Sequence, residues 1–309
     1  MNLEDVSIKE LREKALEIRK ELIDLSVIQN IHIGGDLSIT DIMTVLWQYQ
    51  LKFNPKEPNW EGRDRFVLSK GHSSAAMALN QAKRGCFKKE EVMNEYAMDE
   101  GRFSMHPCKL INPYVEISTG SLGHGMPIAC GIAAALRLKS NMTSRVYTIM
   151  GDGEQSEGSV WEAALSAVKY RLGNLISIID NNQIEGDGFI NDITGLGDIA
   201  CKYRSFGWNV IELNGNDMAE IILFVDGVMR HVDQLVDDVL VILRQRFSHF
   251  ASREFCRDEF RDLDQADQHS GISLVFFVGG FVFFQYALGI INQRGEIVFL
   301  PFGKVVSEG

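Results

Sequence analysis

The sequence holds only 6 prolines in 309 residues and has no short repeat, which excludes collagen-like and low-complexity classes. Its 5 cysteines are odd in number and widely spaced, and no Cys-x-x-Cys occurs. A disulfide framework and a structural zinc site are therefore not expected. Basic residues are also short: 31 against 42 acidic ones leave a net charge of −11. Such a chain is a poor general binder of nucleic acid, because phosphate neutralisation needs basic surface. A small anion remains compatible, since a metal ion or a helix N-terminus supplies local positive charge. The opening segment MNLEDVSIKELREK has no apolar signal core, so a cytoplasmic location with reduced thiols is expected.

What is present is an ordinary globular mixture, 45% hydrophobic and 24% charged, long enough to bury a sizeable core. The mixture is not uniform. Residues 1–221 hold 13 of the 14 lysines but only 6 of the 18 phenylalanines. Residues 222–309 hold Lys304 and the other 12 phenylalanines. This break predicts one domain over 1–221 and leaves 222–309 unassigned.

Within 1–221 helices and strands alternate. Leu11, Ala15, Ile18, Leu22 and Leu25 have the spacing of an amphipathic helix over 8–28. A second helix is predicted over 38–51, with Ser38 or Thr40 as its cap. Arg65–Ser69 reads as a short strand, followed by a helix from about Ser73. Residues 122–139 are Ala-rich and helical after a Gly-rich start. Arg145–Met150 and Leu175–Asp180 are apolar runs typical of buried parallel strands. Between them a helix over 159–171 begins with Ser159 and Glu162 at capping-box spacing. Asn209–Leu213 is a further strand. The pattern predicts an α/β fold with a doubly wound parallel sheet and ligands at the carboxyl ends of its strands.

The chemistry sits at two of those ends. One strand runs into Gly151-Asp152-Gly153-Glu154, and the next ends in Asp180-Asn181-Asn182-Gln183-Ile184. Two neighbouring strands thus deliver Asp152 and Asn182 to one sheet edge. A hard cation such as Mg²⁺ takes oxygen ligands and commonly shares them with phosphates. Asp152 offers a carboxylate, Asn182 an amide oxygen and Ile184 a backbone carbonyl. Gly151 and Gly153 allow a close approach of phosphate to backbone. A lone Gly-Asp-Gly is a common turn; the pair of motifs, each ending an apolar strand, is more specific. No Walker motif and no G-x-G-x-x-G fingerprint accompanies it.

With these motifs in view, the sequence resembles the thiamine-diphosphate enzymes and, among them, the transketolase family. GDGEQSEGSVWEA followed by IIDNNQIEGDG is similar to the family's cofactor motif. His32-Ile33-Gly34-Gly35-Asp36-Leu37-Ser38 is similar to its first histidine loop, and Leu68-Ser69-Lys70-Gly71-His72 to its second. Met105-His106-Pro107, with Ser118-Thr119-Gly120-Ser121-Leu122-Gly123-His124-Gly125 after it, resembles the third histidine and the Gly-rich turn. Asn214-Gly215-Asn216-Asp217 matches a further strand end, so the likeness covers about residues 8–221.

The resemblance implies a thiamine-diphosphate-binding fold and a two-carbon ketol transfer between sugar phosphates, as in the pentose phosphate pathway. It implies Mg²⁺ on Asp152, Asn182 and the Ile184 carbonyl. Gly153 and Asn182 would sit on the diphosphate and Gly120 and Leu122 near the aminopyrimidine, with Ser121, Gly151, Asp152, Glu154 and Ile184 completing the cofactor-binding set. His32, His72 and His106 would line the channel to the reacting carbon. His124 carries either a phosphate contact or a packing role. Glu157 would support, across an interface between chains, the glutamate that activates the cofactor; as a residue it also reads as an ordinary helix-start acid. The four histidines of the first 221 residues all fall in these motifs. The pyrimidine-binding domain of a single-chain transketolase has no counterpart here. The chain therefore resembles the N-terminal subunit of a split transketolase, active as a hetero-oligomer with a C-terminal partner subunit.

After Ile221 the family pattern is lost. Residues 270–293 carry no charge, which by length and apolarity makes them a membrane-span candidate. A divergent domain end, a membrane anchor and a frameshifted reading frame are the competing explanations, the last favoured by the abrupt compositional break. Two alternatives stand beside an active transketolase subunit. One is a catalytically inactive remnant or interaction protein. The other is a related synthase joining pyruvate to a sugar phosphate, such as a deoxyxylulose-phosphate synthase-like enzyme.

Overall fold

The computed structural model describes residues 8–186, 188–231, 239–244, 287–291 and 297–301. They divide into two compact units. The first runs to Gln183 and resumes from Phe189 to Gln245; the second holds Ile184–Gly188 and residues from Arg246 onward. The first unit opens with α1 (Ile8–Ile28), α2 (Ile33–Ser38) and α3 (Thr40–Val45), the last passing into a π-helical turn, Leu46–Gln50. Next come β1 (Arg65–Leu68), α4 (Ser74–Lys83), α5 (Lys89–Glu95), α6 (Gly125–Leu138) and β2 (Val146–Gly151). Helix α7 (Gly158–Tyr170) leads to β3 (Leu175–Asn181); the chain then passes through the short β4 (Ile184–Glu185), which belongs to the second unit, and β5 (Gly188–Phe189), and re-enters the first unit at Phe189, before α8 (Ile190–Ile193). Helix α9 (Ile199–Phe206), β6 (Asn209–Asn214), α10 (Met218–His231) and β7 (Val239–Arg244) complete it.

The sheet is parallel in the order β1-β2-β3-β7-β6. Period-two alternation sends its side chains to opposite faces. Phe66, Leu68, Tyr147, Ile149, Ile176 and Ile178 pack with α1, α3, α4 and α10. Val67, Val146, Met150, Leu175 and Ile179 pack with α6, α7 and α9. Helices on both faces explain why β2 and β3 are apolar along their length. The five expected positions of α1 are buried, and Leu11, Ile18, Leu22 and Leu25 each contribute roughly 1.5–3 kcal/mol.

Three expectations are corrected. The helix predicted over 38–51 breaks at Ile39 (φ −104°, ψ 5°) and begins earlier, at Ile33. Neither Ser38 nor Thr40 caps it: Ser38 Oγ donates to the Gly35 carbonyl and to Asp180, and Thr40 Oγ1 to the Asp36 carbonyl. Ser159 forms no capping box, because its hydroxyl donates to the Gly123 carbonyl 2.7 Å away. In each case the hydroxyl finds an acceptor elsewhere in the fold.

The compositional break at Ile221 falls inside α10, where Ile221, Ile222 and Val225 are buried. Beyond it VLVILR forms β7, inserted between β3 and β6, so the first unit continues past 221 to Gln245. In the second unit β8 (Ala287–Ile291) pairs antiparallel with β9 (Ile297–Pro301). Residues 270–286 of the apolar run lie outside the described residues. Among the described residues no helix is long and apolar enough to cross a membrane. Cys86, Cys108, Cys130 and Cys201 are free thiols; Cys256 lies outside the described residues.

Candidate functional site

The carboxyl ends of β1, β2 and β3 lie side by side. The register pairs Gly151 with Asp180, and the Asp152 N–H donates to the Asp180 carbonyl at 3.1 Å. Asp152, only 2% exposed, accepts the Gly153 N–H on Oδ1 at 2.9 Å and the Gln183 N–H on Oδ2 at 2.6 Å. Burial pushes its pKa up to about 7, with the neighbouring Asp180 adding to the rise; the two N–H groups and Lys70 oppose it. A carboxyl held this close to neutrality by desolvation favours a cation, whose charge would return it to the ionised form.

Asn182 is half-buried and its Nδ2 donates to Asp180 Oδ2 at 3.2 Å. The same oxygen accepts Ser38 Oγ and Lys70 Nζ, each at 2.5 Å. Lys70 Nζ also donates to the Gly35 carbonyl and to Ser38 Oγ, both at 3.2 Å. Lys70 and Asp180 are fully buried and escape sequence reasoning, because a lysine is by default a surface residue. Ile184 belongs to the second unit, in β4. Among the described residues no group of three or more His, Cys, Asp or Glu is arranged to hold a metal. The expected set contains one such residue, Asp152, beside an amide and a carbonyl, so the oxygen-rich chemistry of Asp152 and Asn182 fits a hard cation.

Three histidines gather in the same unit. His32 stands 5.6 Å from His72 and 5.6 Å from His106, centroid to centroid. Burial lowers the pKa of all three. For His72 the value falls to about 3, with Lys70, His32 and His106 adding repulsion. For His32 repulsion from His106 adds to partial burial, and for His106 burial is the cause. All three are neutral imidazoles at pH 7, each offering one donor and one acceptor nitrogen. Close packing links them to the strand ends. A Cβ on Gly120 would meet the His106 ring at 3.2 Å, and one on Gly71 would meet the Gly120 nitrogen at 2.9 Å.

Glu154 is turned inward. It is 1% exposed, and its carboxylate accepts the Gly123 N–H at 2.9 Å, the Gly151 N–H at 3.0 Å and the Ser69 hydroxyl. One side chain thus clamps the Gly-rich turn to the ends of β1 and β2. Gly123 has φ +81°, and a Cβ there would lie 2.5 Å from the Glu157 Cβ. Glu157 is exposed at the N-terminal boundary of α7, while Gly120 and Leu122 are half-buried and Ser121 exposed. His124 is also exposed, its Nδ1 3.1 Å from the Leu122 carbonyl.

The family model "Transketolase, thiamine diphosphate binding domain" matches residues 14–233. An apulose-4-phosphate transketolase subunit from Actinobacillus succinogenes is 38% identical over 224 residues, 72% of this chain and 80% of that one. The 6-deoxy-6-sulfo-D-fructose transketolase subunit SqwG of a Clostridium species is 36% identical over 202 residues, 64% of this chain and 72% of that one. Among solved structures, Pichia stipitis transketolase in complex with sedoheptulose-7-phosphate matches with a TM-score of 0.70 and 28% identity over 75% of this chain. The chain spans 36% of the length of that transketolase.

Proposed function

Because this chain belongs to the transketolase family, through its thiamine diphosphate binding domain, we propose that it is the cofactor-binding subunit of a split transketolase. It acts with a separate C-terminal subunit that carries the pyrimidine-binding domain, and together they move a two-carbon ketol unit from a ketose phosphate to an aldose phosphate. Two relatives are named as transketolase subunits, one for apulose 4-phosphate and one for a sulfo-sugar. They support both the division into separate chains and a sugar substrate.

One observation carries the reading: a cation-ready pair of strand ends, Asp152 and Asn182, lies in the same unit as three neutral imidazoles. Asp152 and Asn182 would hold Mg²⁺ through their side-chain oxygens, and Gly151 and Gly153 would offer backbone to the diphosphate. Gly120, Ser121 and Leu122 form the turn toward the aminopyrimidine. Thiamine diphosphate, when bound, supplies the electron sink for the two-carbon fragment cut from the ketose. His32, His72 and His106 hydrogen-bond the sugar hydroxyls, and each accepts or returns a proton at a ring nitrogen as the carbon–carbon bond breaks and re-forms. Their neutrality at pH 7 leaves each an acceptor nitrogen for a sugar hydroxyl. Glu157, exposed at the start of α7, is available to a partner chain.

The test mixes the purified chain with the candidate C-terminal subunit, Mg²⁺ and thiamine diphosphate, and follows ketol transfer from xylulose 5-phosphate to ribose 5-phosphate. Turnover by the mixture but by neither chain alone is expected. If the mixture assembles and binds the cofactor yet transfers nothing from any ketose phosphate offered, the assignment is wrong.

A further inference from the structure

The buried ion pair of Lys70 and Asp180 is not explained by stability. Lys70 is 1% exposed and Asp180 0%, with Nζ 2.5 Å from Oδ2. Desolvating two charges costs about as much as their attraction returns, and apolar replacements of such pairs are often neutral or stabilising. The pair does, however, decide a geometry. A carboxylate only accepts hydrogen bonds, so the Asn182 group facing Asp180 Oδ2 at 3.2 Å must be the amide NH₂. Of the two amide orientations this selects one, which leaves the carbonyl oxygen for the opposite side. Asp180 is itself held from the other direction. Ser38 Oγ and Lys70 Nζ both donate to Oδ2, and Lys70 also reaches the Gly35 carbonyl in α2, the helix that follows His32.

We propose that Lys70 and Asp180 form a positioning pair that turns the Asn182 amide oxygen toward the bound cation and ties α2, the helix that follows His32, to that same strand end. The inference rests on the reading of Asp152 and Asn182 as the cation site. Neither Lys70 nor Asp180 touches the cation. Lys70 places a positive charge against Asp180, which lies beside Asp152, and is one of the three donors that converge on Oδ2, together with Ser38 and Asn182. Helix α2 and the end of β3 are thereby joined directly, although 142 positions separate Ser38 from Asp180.

The test uses the full chain with thiamine diphosphate and Mn²⁺ as the probe, read by electron paramagnetic resonance and by the Asn182 side-chain amide signals in ¹⁵N spectra. In the unaltered chain one Asn182 NH₂ proton is expected to be protected from exchange. The double variant Lys70→Met/Asp180→Leu replaces the pair with apolar side chains. It is expected to melt no lower than the parent, to lose that protection and to bind Mn²⁺ at least tenfold more weakly. Asp180→Asn, which keeps the shape but no longer dictates the amide orientation, should weaken Mn²⁺ in the same direction and serves if the double variant does not fold. Asp152→Ala is the reference. If Asp152→Ala abolishes Mn²⁺ binding while the pair variants bind as the parent does, the positioning role is overturned and the cation site stands. If Asp152→Ala leaves Mn²⁺ binding unchanged, the cation site itself is wrong and the positioning role falls with it.

Discussion

Gly35 lies directly against the ring of His72: a Cβ at position 35 would stand 2.7 Å from Cδ2 and 2.9 Å from Nε2. Helix α2 thus packs on the turn that carries His72 through the one residue type that leaves room. Gly35→Ala must push the imidazole aside or lift α2 from Lys70. A misplacement of about 1 Å in a reacting group costs on the order of 10²-fold in rate. With the partner subunit present, kcat for ketol transfer is expected to fall by about that factor. Cofactor affinity measured by calorimetry should change far less, and an unaltered kcat would show that His72 does not need this position.

Asp36, in α2, predicts a pH dependence. It is fully buried, and Oδ1 accepts the Ala76 N–H at 2.8 Å. Burial raises its pKa from 3.8 to about 8, so the folded chain holds a proton there that the unfolded chain releases. The raised value means this contribution to stability is full below pH 3.8 and is lost as pH rises through about 8. Melting temperature should therefore fall between pH 5 and pH 8.5. Asp36→Asn, which retains the acceptor for Ala76, should flatten that fall, and an equal slope in both proteins would contradict it.

Glu154 tests the clamp on the Gly-rich turn. Glu154→Gln keeps the size but offers one acceptor oxygen where the carboxylate offers two. Either the Gly123 N–H or the Gly151 N–H then faces an NH₂ group. Leaving one buried donor unpaired costs about 1–3 kcal/mol, to be read from denaturant unfolding. Thiamine diphosphate affinity should weaken as the turn at Gly120, Ser121 and Leu122 loosens. A stable variant with parental affinity would remove Glu154 from the architecture of the site.

His72 separates chemistry from binding. His72→Ala deletes a neutral imidazole and introduces no charge change at pH 7, because its pKa is held at about 3. Loss of a proton-transferring group costs roughly 10²–10⁴-fold in rate. That loss should appear in kcat, with Mn²⁺ binding at Asp152 unchanged. A defect confined to metal binding would assign the residue to packing.

Much of the fold is legible locally. The apolar stripe of α1 and the continuous apolar runs of β2 and β3 follow from 3.6-residue and two-layer burial, and the described elements agree with them. Asp152 and Asn182 are legible because each follows directly from a strand in its own segment. Hydroxyl roles are not legible in the same way. Ser38, Thr40 and Ser159 each have a local use as a cap, and a tertiary or neighbouring acceptor displaces it. The strand VLVILR escapes notice because a change in composition beyond Ile221 masks a six-residue run whose partners, β3 and β6, are remote in sequence.

The sequence alone determined helix α1, the strands β1, β2, β3 and β6, the residues that stand at the ends of β2 and β3, and the family to which their order belongs. Those properties depend on periodicity and on neighbours a few positions away. Only the tertiary structure decided that β7 enters the middle of the sheet, that Glu154 faces inward, and that Lys70 is buried against Asp180 while three imidazoles share one space. Each of these depends on desolvation and on hydrogen-bond partners many positions apart, and neither quantity exists until the chain has closed around them.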